Sequence, residues 1–451
     1  MALSALVCLG RQTLTGLLTT AGKIDHDWTA DYRLFSKDRF KPGVLFGVSR
    51  QAVCDMLDPN APLVVAMDDT LLHKTGRKIH GAAWKRDPQG PPFQTNLIWA
   101  QRFIQISAAL PHQPGQSWAR MIPIDMQHAP SPKRPKKNDD PGKFIEYNRA
   151  KKLSIATLKG AQQLQTLRLQ MDQEEGNRHR DLISVVDGGY TNRTIFKNIP
   201  HSCHIIGRIR KDAKIYALPE MGEGKIGRKR NYGLLLPTPE QIRQDDAFPW
   251  QHIEAWAAGK LHQFRVKTIV PIRWRKAGTD KDLRLVIIAP LHYRLGKNTP
   301  LLYRNPAYLI CSDPDLPLEK VVQYYIWRWD IENNFRDEKT ILGMGKAQVR
   351  NAKSVEQVPQ FIAAIYAMLQ VAAWKAFPES EQTNEVMSKP LWRRRSPAIR
   401  LSTQTTISRL RSELWGAGVA NFSHFVDSSI TKRSHRNWYP NMQTAVLYAQ
   451  H

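Results

Sequence analysis

Apolar residues are grouped differently along the length of this chain, and the grouping predicts its elements. Residues 1–58 carry short apolar runs, turns and scattered basic residues, the pattern of short helices; the run 13–22 stops at a glycine. Beyond Pro62 the runs become strand-like. Residues 63–67 form a short apolar strand closed by Asp68-Asp69-Thr70, and 78–84 and 95–110 read as further strands. A Pro- and Lys-rich loop covers 129–142, and one long helix is predicted from 143 to about 171. The strand 182–186 is apolar except for Ser184 and ends at Asp187-Gly188-Gly189-Tyr190; Thr191 or Asn192 can cap a short helix running to 198. Residues 204–209 make the next strand.

Residues 210–306 have another texture: short alternating runs (263–270, 283–289), many Gly and Pro, and basic clusters such as Gly227-Arg228-Lys229-Arg230. That is a β-rich insertion. A strand at 307–311 follows, then a single helix from 316 to about 342 and a core helix from 358 to 376 with Pro359 in its first turn. The tail is basic, with Arg393-Arg394-Arg395 and Lys432-Arg433.

Chemistry concentrates in the 316–342 helix. Tyr325, Arg328, Glu332 and Lys339 are spaced by three, four and seven, which puts them within an arc of about 60° on one face. Arg336 lies close beside them, whereas Asp330, Asp337 and Glu338 point elsewhere. A lone carboxylate among phosphate-binding groups suits a metal ligand at a nucleic-acid backbone. A solvated amphipathic helix shows the same face, with Val322, Ile326 and Trp329 as an ordinary buried stripe.

Composition narrows the partner. Sixty-six Lys and Arg against 40 Asp and Glu give a net charge of +26 over 451 residues. Such a charge calls for a polyanion, DNA or RNA first. An anionic membrane surface comes second, but no basic helix is mainly apolar on its other face. With 42% hydrophobic and 9% aromatic residues the chain is globular, not a disordered basic tail. Cys8, Cys54, Cys203 and Cys311 form no C-x-x-C pair, so neither a zinc site nor a disulfide framework is indicated, and a reducing cytoplasm fits. The first ten residues lack a basic leader region, and the longest apolar run, 361–374, is too short to span a bilayer.

Two further acids give Glu332 partners. Asp68 and Asp187 each end a buried strand. Each has a plain structural reading, as a cap or a turn. Asp68 is the first polar residue off its run, as Asp187 is, which favours it over Asp69; the choice stays open. Three carboxylates can hold divalent cations that activate water or a 3′-hydroxyl at a phosphodiester, with Mg²⁺ preferred and Mn²⁺ able to substitute. The element order is compatible with an α/β ribonuclease H-like core carrying a β-rich insertion and helical N- and C-terminal regions.

The segment Tyr325-x-x-Arg328-x-x-x-Glu332, followed seven residues on by Lys339, resembles the Tyr-Arg-Glu-Lys signature of DDE transposases of the insertion-sequence-four type. Residues 64–70 resemble their first-aspartate motif, often Asp-x-Thr or Asp-x-Ser, which again favours Asp68; residues 185–192 resemble the second. The resemblance spans roughly 1–376. It implies a metal triad of Asp68, Asp187 and Glu332, phosphate contacts from Tyr325, Arg328 and Lys339, and Arg336 beside them. It also implies a division into a helical DNA-binding region (1–58), a core in two parts (59–209 and 307–376), the insertion (210–306) and a basic C-terminal region (377–451). The implied function is metal-dependent cleavage of double-stranded DNA at transposon ends with strand transfer, by a dimer in the synaptic complex, in the bacterial cytoplasm at the nucleoid. A ribonuclease H-like nuclease without strand transfer, or a catalytically silent DNA-binding repressor, are the alternatives. Some relatives stack a flipped base on a Trp of the insertion; Trp250, Trp256 and Trp274 lie there, and each reads as buried core. The chain opens inside the expected DNA-binding region, so its N-terminus reads as short.

Overall fold

Residues 63–67 are apolar at every position, the mark of a strand covered on both faces. The computed structural model builds a sheet around that strand. It describes residues 1–451 except 38, 40, 88–89, 92, 115–116, 220–229, 280, 294–299, 378–400 and 420–451. Arg228 and Lys229, the run Arg393-Arg394-Arg395 and Lys432-Arg433 lie outside the described residues.

The strands are β1 (Leu63–His73), β2 (Ala83–Arg86), β3 (Leu97–Pro111), β4 (Ala119–His128), β5 (Leu182–Val186), β6 (Cys203–Arg208), β7 (Ile215–Tyr216), β8 (Gln251–Ala257), β9 (Lys260–Trp274), β10 (Leu283–Ile288), β11 (Leu291–Tyr293), β12 (Leu302–Arg304) and β13 (Ala307–Cys311). All but β11 and β12 join one eleven-stranded mixed sheet. Its first part runs β4-β3-β1-β5-β6, with β3 antiparallel to β1 and β4, and β5 and β6 parallel to β1. That order is consistent with a ribonuclease H-like core. β13 then pairs antiparallel with β6, and β10 and β9 continue outward, so residues 210–306 extend the core sheet itself.

The helices are α1 (Ala2–Val7), α2 (Leu14–Thr20), α3 (Thr29–Ser36), α4 (Pro42–Met56), α5 (Pro141–Leu153), α6 (Ala156–Gln173), α7 (Arg193–Lys197), α8 (Pro239–Gln244), α9 (Leu318–Trp327), α10 (Asp330–Thr340), α11 (Ala352–Ala376) and α12 (Thr403–Val419). Two expected long helices are each two. The 143–171 helix breaks at Ser154-Ile155: the Ser154 hydroxyl bonds back to Lys151 O and Ile155 turns extended. The 316–342 helix is interrupted at Arg328-Trp329. The strand expected at 63–67 runs on to His73, because β3 supplies it a partner throughout, and the one expected at 78–84 starts only at Ala83.

Strand periodicity sorts the core into two layers. Leu63, Val65 and Met67 face α6, with Leu182 and Val186 beside them. Val64, Ala66, Ile183 and Val185 face α9 and α10, meeting Val321, Val322, Ile331 and Phe335. A third cluster joins α1–α4 to α11 and α12. No helix among the described residues is long and apolar enough to cross a membrane.

Helix α10 is fixed by covering the free edge of β4. Asp330 accepts from Met121 N (3.0 Å), and the Asn334 amide donates to Met121 O (2.9 Å). Those edge groups would otherwise be buried without partners. Glu338 lies three residues beyond Phe335 on the buried face and is fully enclosed; the Gln105 side chain and the charge of Lys339 offset that burial only in part. Burial pushes its pKa from 4.5 up to about 8. The folded state therefore keeps a proton there that the unfolded chain sheds. The stability it contributes is present below about pH 4.5 and is lost as pH rises through about 8. Glu338→Gln keeps the shape without the ionisation. Its unfolding free energy, read from melts, should exceed the parent's by a margin that grows from about pH 5 to pH 8.5, reaching about 1–3 kcal/mol. An equal margin at both pH values would contradict this account.

Candidate active site

Parallel pairing of β1 with β5 ends at Met67↔Val186, which brings Asp68 and Asp187 into adjacent strands at the same level. Beyond it β1 continues against β3 alone, so the two acids flank the opening of the sheet. Asp68 continues the Val64-Ala66 row and Asp187 the Ile183-Val185 row, both toward α9 and α10. Asp69 falls in the other row. It forms an ion pair with Arg102 at 3.0 Å and accepts from the Tyr190 hydroxyl at 3.2 Å.

Backbone geometry holds both acids in place. Asp187 Oδ1 accepts from Gly189 N (2.9 Å) and Tyr190 N (3.0 Å), and its carbonyl accepts from the Thr191 hydroxyl. Thr191 in turn presses on β6: a Cβ at Gly207 would sit 2.2 Å from its Oγ1, so only glycine fits there. Asp68 Oδ1 accepts from Asp69 N (2.8 Å). Burial first, then the charge of Asp187, pushes the Asp68 pKa up to about 7, against the pull of Arg328.

The break between α9 and α10 delivers the third acid. Trp329 N, Ile331 N and Glu332 N bond to Ile326 O, Arg328 O and Trp329 O, each three residues back. A 3₁₀ turn adds about 20° of rotation per residue over an α-helix. Arg328 therefore projects inward at the junction, 3.3 Å from Asp68 and 3.5 Å from Glu332. Burial raises the Glu332 pKa, Arg328 opposes the rise and Asp187 adds to it, so the field of Asp187 reaches both other acids. The rotation also removes Trp329 from the expected buried stripe: Val322 is buried and Ile326 partly so, but Trp329 is 61% exposed.

Tyr325, Arg328, Trp329, Glu332 and Asp187 line one open cleft of about 1350 Å³. Its opposite wall is cationic, with Arg208, Arg210, Lys211, Lys214, Arg275 and Lys276. Lys339 and Arg336 do not line it. Lys339 is half-buried beside Glu338, and burial lowers its pKa. Arg336 points to the other flank of α10, paired with Asp337 at 3.0 Å. The 3₁₀ turn changes the phase between Arg328 and Glu332, whereas Lys339 stays in phase with Glu332 within α10 and misses the cleft because it lies seven residues, about 10 Å, farther along the axis. Trp274 is buried as expected, edge-on to Phe196, yet borders the cleft; Trp250 carries Arg265 and Lys267 over its ring, and Trp256 is half-buried.

A family model described as DDE superfamily endonuclease matches residues 2–280. The chain belongs to this family. The matched span contains Asp68 and Asp187 and stops before Glu332. No curated protein matches the chain.

DDE superfamily endonucleases typically use divalent metals, and the donors at this site suit one. They are hard carboxylate oxygens, two of them mutually repelling, with the Arg328 guanidinium supplying positive charge between Asp68 and Glu332. Among the described residues no three Asp, Glu, His or Cys are arranged to hold a metal ion. Reasoning from sequence alone missed the cationic wall, because residues 208–214 and 275–276 meet only through the sheet; it also missed Glu240, whose pKa Arg243 holds down at about 2 on the same wall. The two adjacent aspartates should differ in stability effect. Asp69→Asn strips Arg102 of its partner and should cost about 1 kcal/mol or more. Asp68→Asn relieves repulsion from Asp187 and should leave the melting temperature at pH 8 equal or higher. The reverse order in thermal melts would reject the assignment.

Proposed function

We propose that the chain is a DNA transposase of the insertion-sequence-four type, cleaving DNA at transposon ends and joining them to target DNA. Family membership supports a nuclease or transposase-type enzyme acting on DNA. The observation that carries the finer reading is the pairing of Arg328 with both Asp68 and Glu332, with Asp187 level with Asp68 on the next strand and lining the same cationic cleft as Arg328 and Glu332.

Asp68, Asp187 and Glu332 would hold the divalent cation, Mg²⁺ with Mn²⁺ as substitute, which would supply activation of the attacking water or 3′-hydroxyl and steady the leaving oxygen. Arg328 balances the charge of Asp68 and Glu332, and would be free to contact a DNA phosphate where a bound cation balanced them instead. Tyr325 lines the same cleft. The cationic side positions the backbone and neutralises it, which is most of what a protein contributes to phosphoryl transfer. Synapsis of two ends calls for two copies in the active complex.

Glu332→Gln should lower Mg²⁺-dependent cleavage of terminal-repeat DNA by roughly 100-fold or more while leaving DNA affinity within about twofold. Cleavage at the parental rate would sink the triad. Cleaved ends never joined to a target plasmid would restrict the enzyme to hydrolysis.

A further inference from the structure

Helix α5 is thirteen residues long and buries none of them. An isolated helix of that length is marginal in water and ordinarily depends on a packed face. The loop before it exposes Lys133, Arg134, Lys136 and Lys137, and the helix exposes Lys143, Arg149, Lys151 and Lys152. Over 133–152 eight basic residues face three acidic ones, a net charge of +5. Among the described residues only Lys143 of these eight is in an ion pair, with Asp139 at 3.5 Å. Lys143, Lys151, Lys152 and Arg149 fall at about 0°, 80°, 180° and 240° around the axis, so the charge encircles the helix instead of forming a stripe.

The fold places this arm at the acids' end of the sheet, on the face that α6 covers. α6 runs antiparallel to β1: Arg168 near its end bonds Arg180 O, and Arg180 bonds Asp58 O and Ala61 O, just before β1 begins. Gly160 near its start lies against Met67, the residue before Asp68, where a Cβ would come within 2.8 Å of the sulfur. The α5–α6 junction is thus about 8 Å along the axis from the level of the acids. The loop reaches the same end of the sheet, where Ser131 bonds Gly81 O and the Lys85 ammonium. The cationic cleft wall comes instead from residues 208–276, beyond β5 and β6.

We propose that residues 133–152 form a second DNA-binding arm, holding the phosphate backbone of duplex DNA on the β2–β3 side of the acids while the cleft holds it on the other. Encircling charge suits an element with phosphates on both flanks, as a helix beside or within a groove about 12 Å wide meets them. The proposal rests on the DNA-handling reading above and adds the path of the duplex.

The test uses the full chain and a 40-base-pair duplex, with affinity read by fluorescence anisotropy across a salt series. Combined Arg149→Ala, Lys151→Ala and Lys152→Ala should reduce the slope of log affinity against log salt by about two to three units and weaken binding at least about tenfold. Removing equal charge at exposed Lys260, Lys320 and Arg350 should change the slope by less than one unit. Equal effects of the two triple variants, or parental binding by the arm variant, overturn the arm; Glu332-dependent cleavage surviving alongside shows that only the arm has failed. Loss of self-association in sedimentation with DNA affinity unchanged also overturns it and gives the helix to a second copy of the chain. A parental chain that binds no DNA removes the arm and the proposed function together.

Discussion

Two carboxylates that the sheet forces side by side govern the candidate site. Asp68 and Asp187 cannot separate, because Met67 and Val186 are paired behind them and the Asp187 turn is locked by its own hydrogen bonds and by the contact of Thr191 with Gly207. They are largely withdrawn from water, which favours the neutral form of Asp68 and leaves the pair with a standing demand for positive charge. Arg328 meets that demand, and the 3₁₀ turn that aims it inward also sets Glu332 and the exposed Trp329 at the mouth of the cleft. Helix α10 is anchored along β4, which fixes the junction on its α10 side.

Much of this was legible in the residues. The strand 182–186 and the Asn192 cap of α7 match the pattern that predicted them, because continuous apolar runs and short polar caps act locally. Position and motif favour Asp68 over Asp69, but residues 63–67 are apolar on both faces, so no alternation shows which row meets the helices. Lys339 and Arg336 share α10 with Glu332, but a helical period of 3.6 fixes only the angle around the axis: Lys339 lies about 10 Å farther along it and Arg336 is drawn to Asp337. Glu338, read as facing away, is the most deeply buried acid of the helix because Phe335 and Ile331 carry it onto the sheet.

Charge is distributed to match. The cleft wall is assembled from strands and loops far apart in sequence, whereas the arm at 133–152 is a single contiguous stretch. In the proposed arrangement the two cationic surfaces lie on either side of Asp68 and Asp187, within a chain whose net charge is +26. An anionic polymer is drawn to both flanks and meets carboxylates only where a cation can mediate.

The central claim is that Asp68, not Asp69, shares a cation with Asp187 and Glu332. Titration of the protein with Mn²⁺, followed by loss of the free-ion electron paramagnetic resonance signal, tests it directly. Asp68→Asn should weaken Mn²⁺ binding by about tenfold or more, and Asp69→Asn should leave it near that of the parent. Parental binding by Asp68→Asn, or an equal loss in Asp69→Asn, would contradict the account.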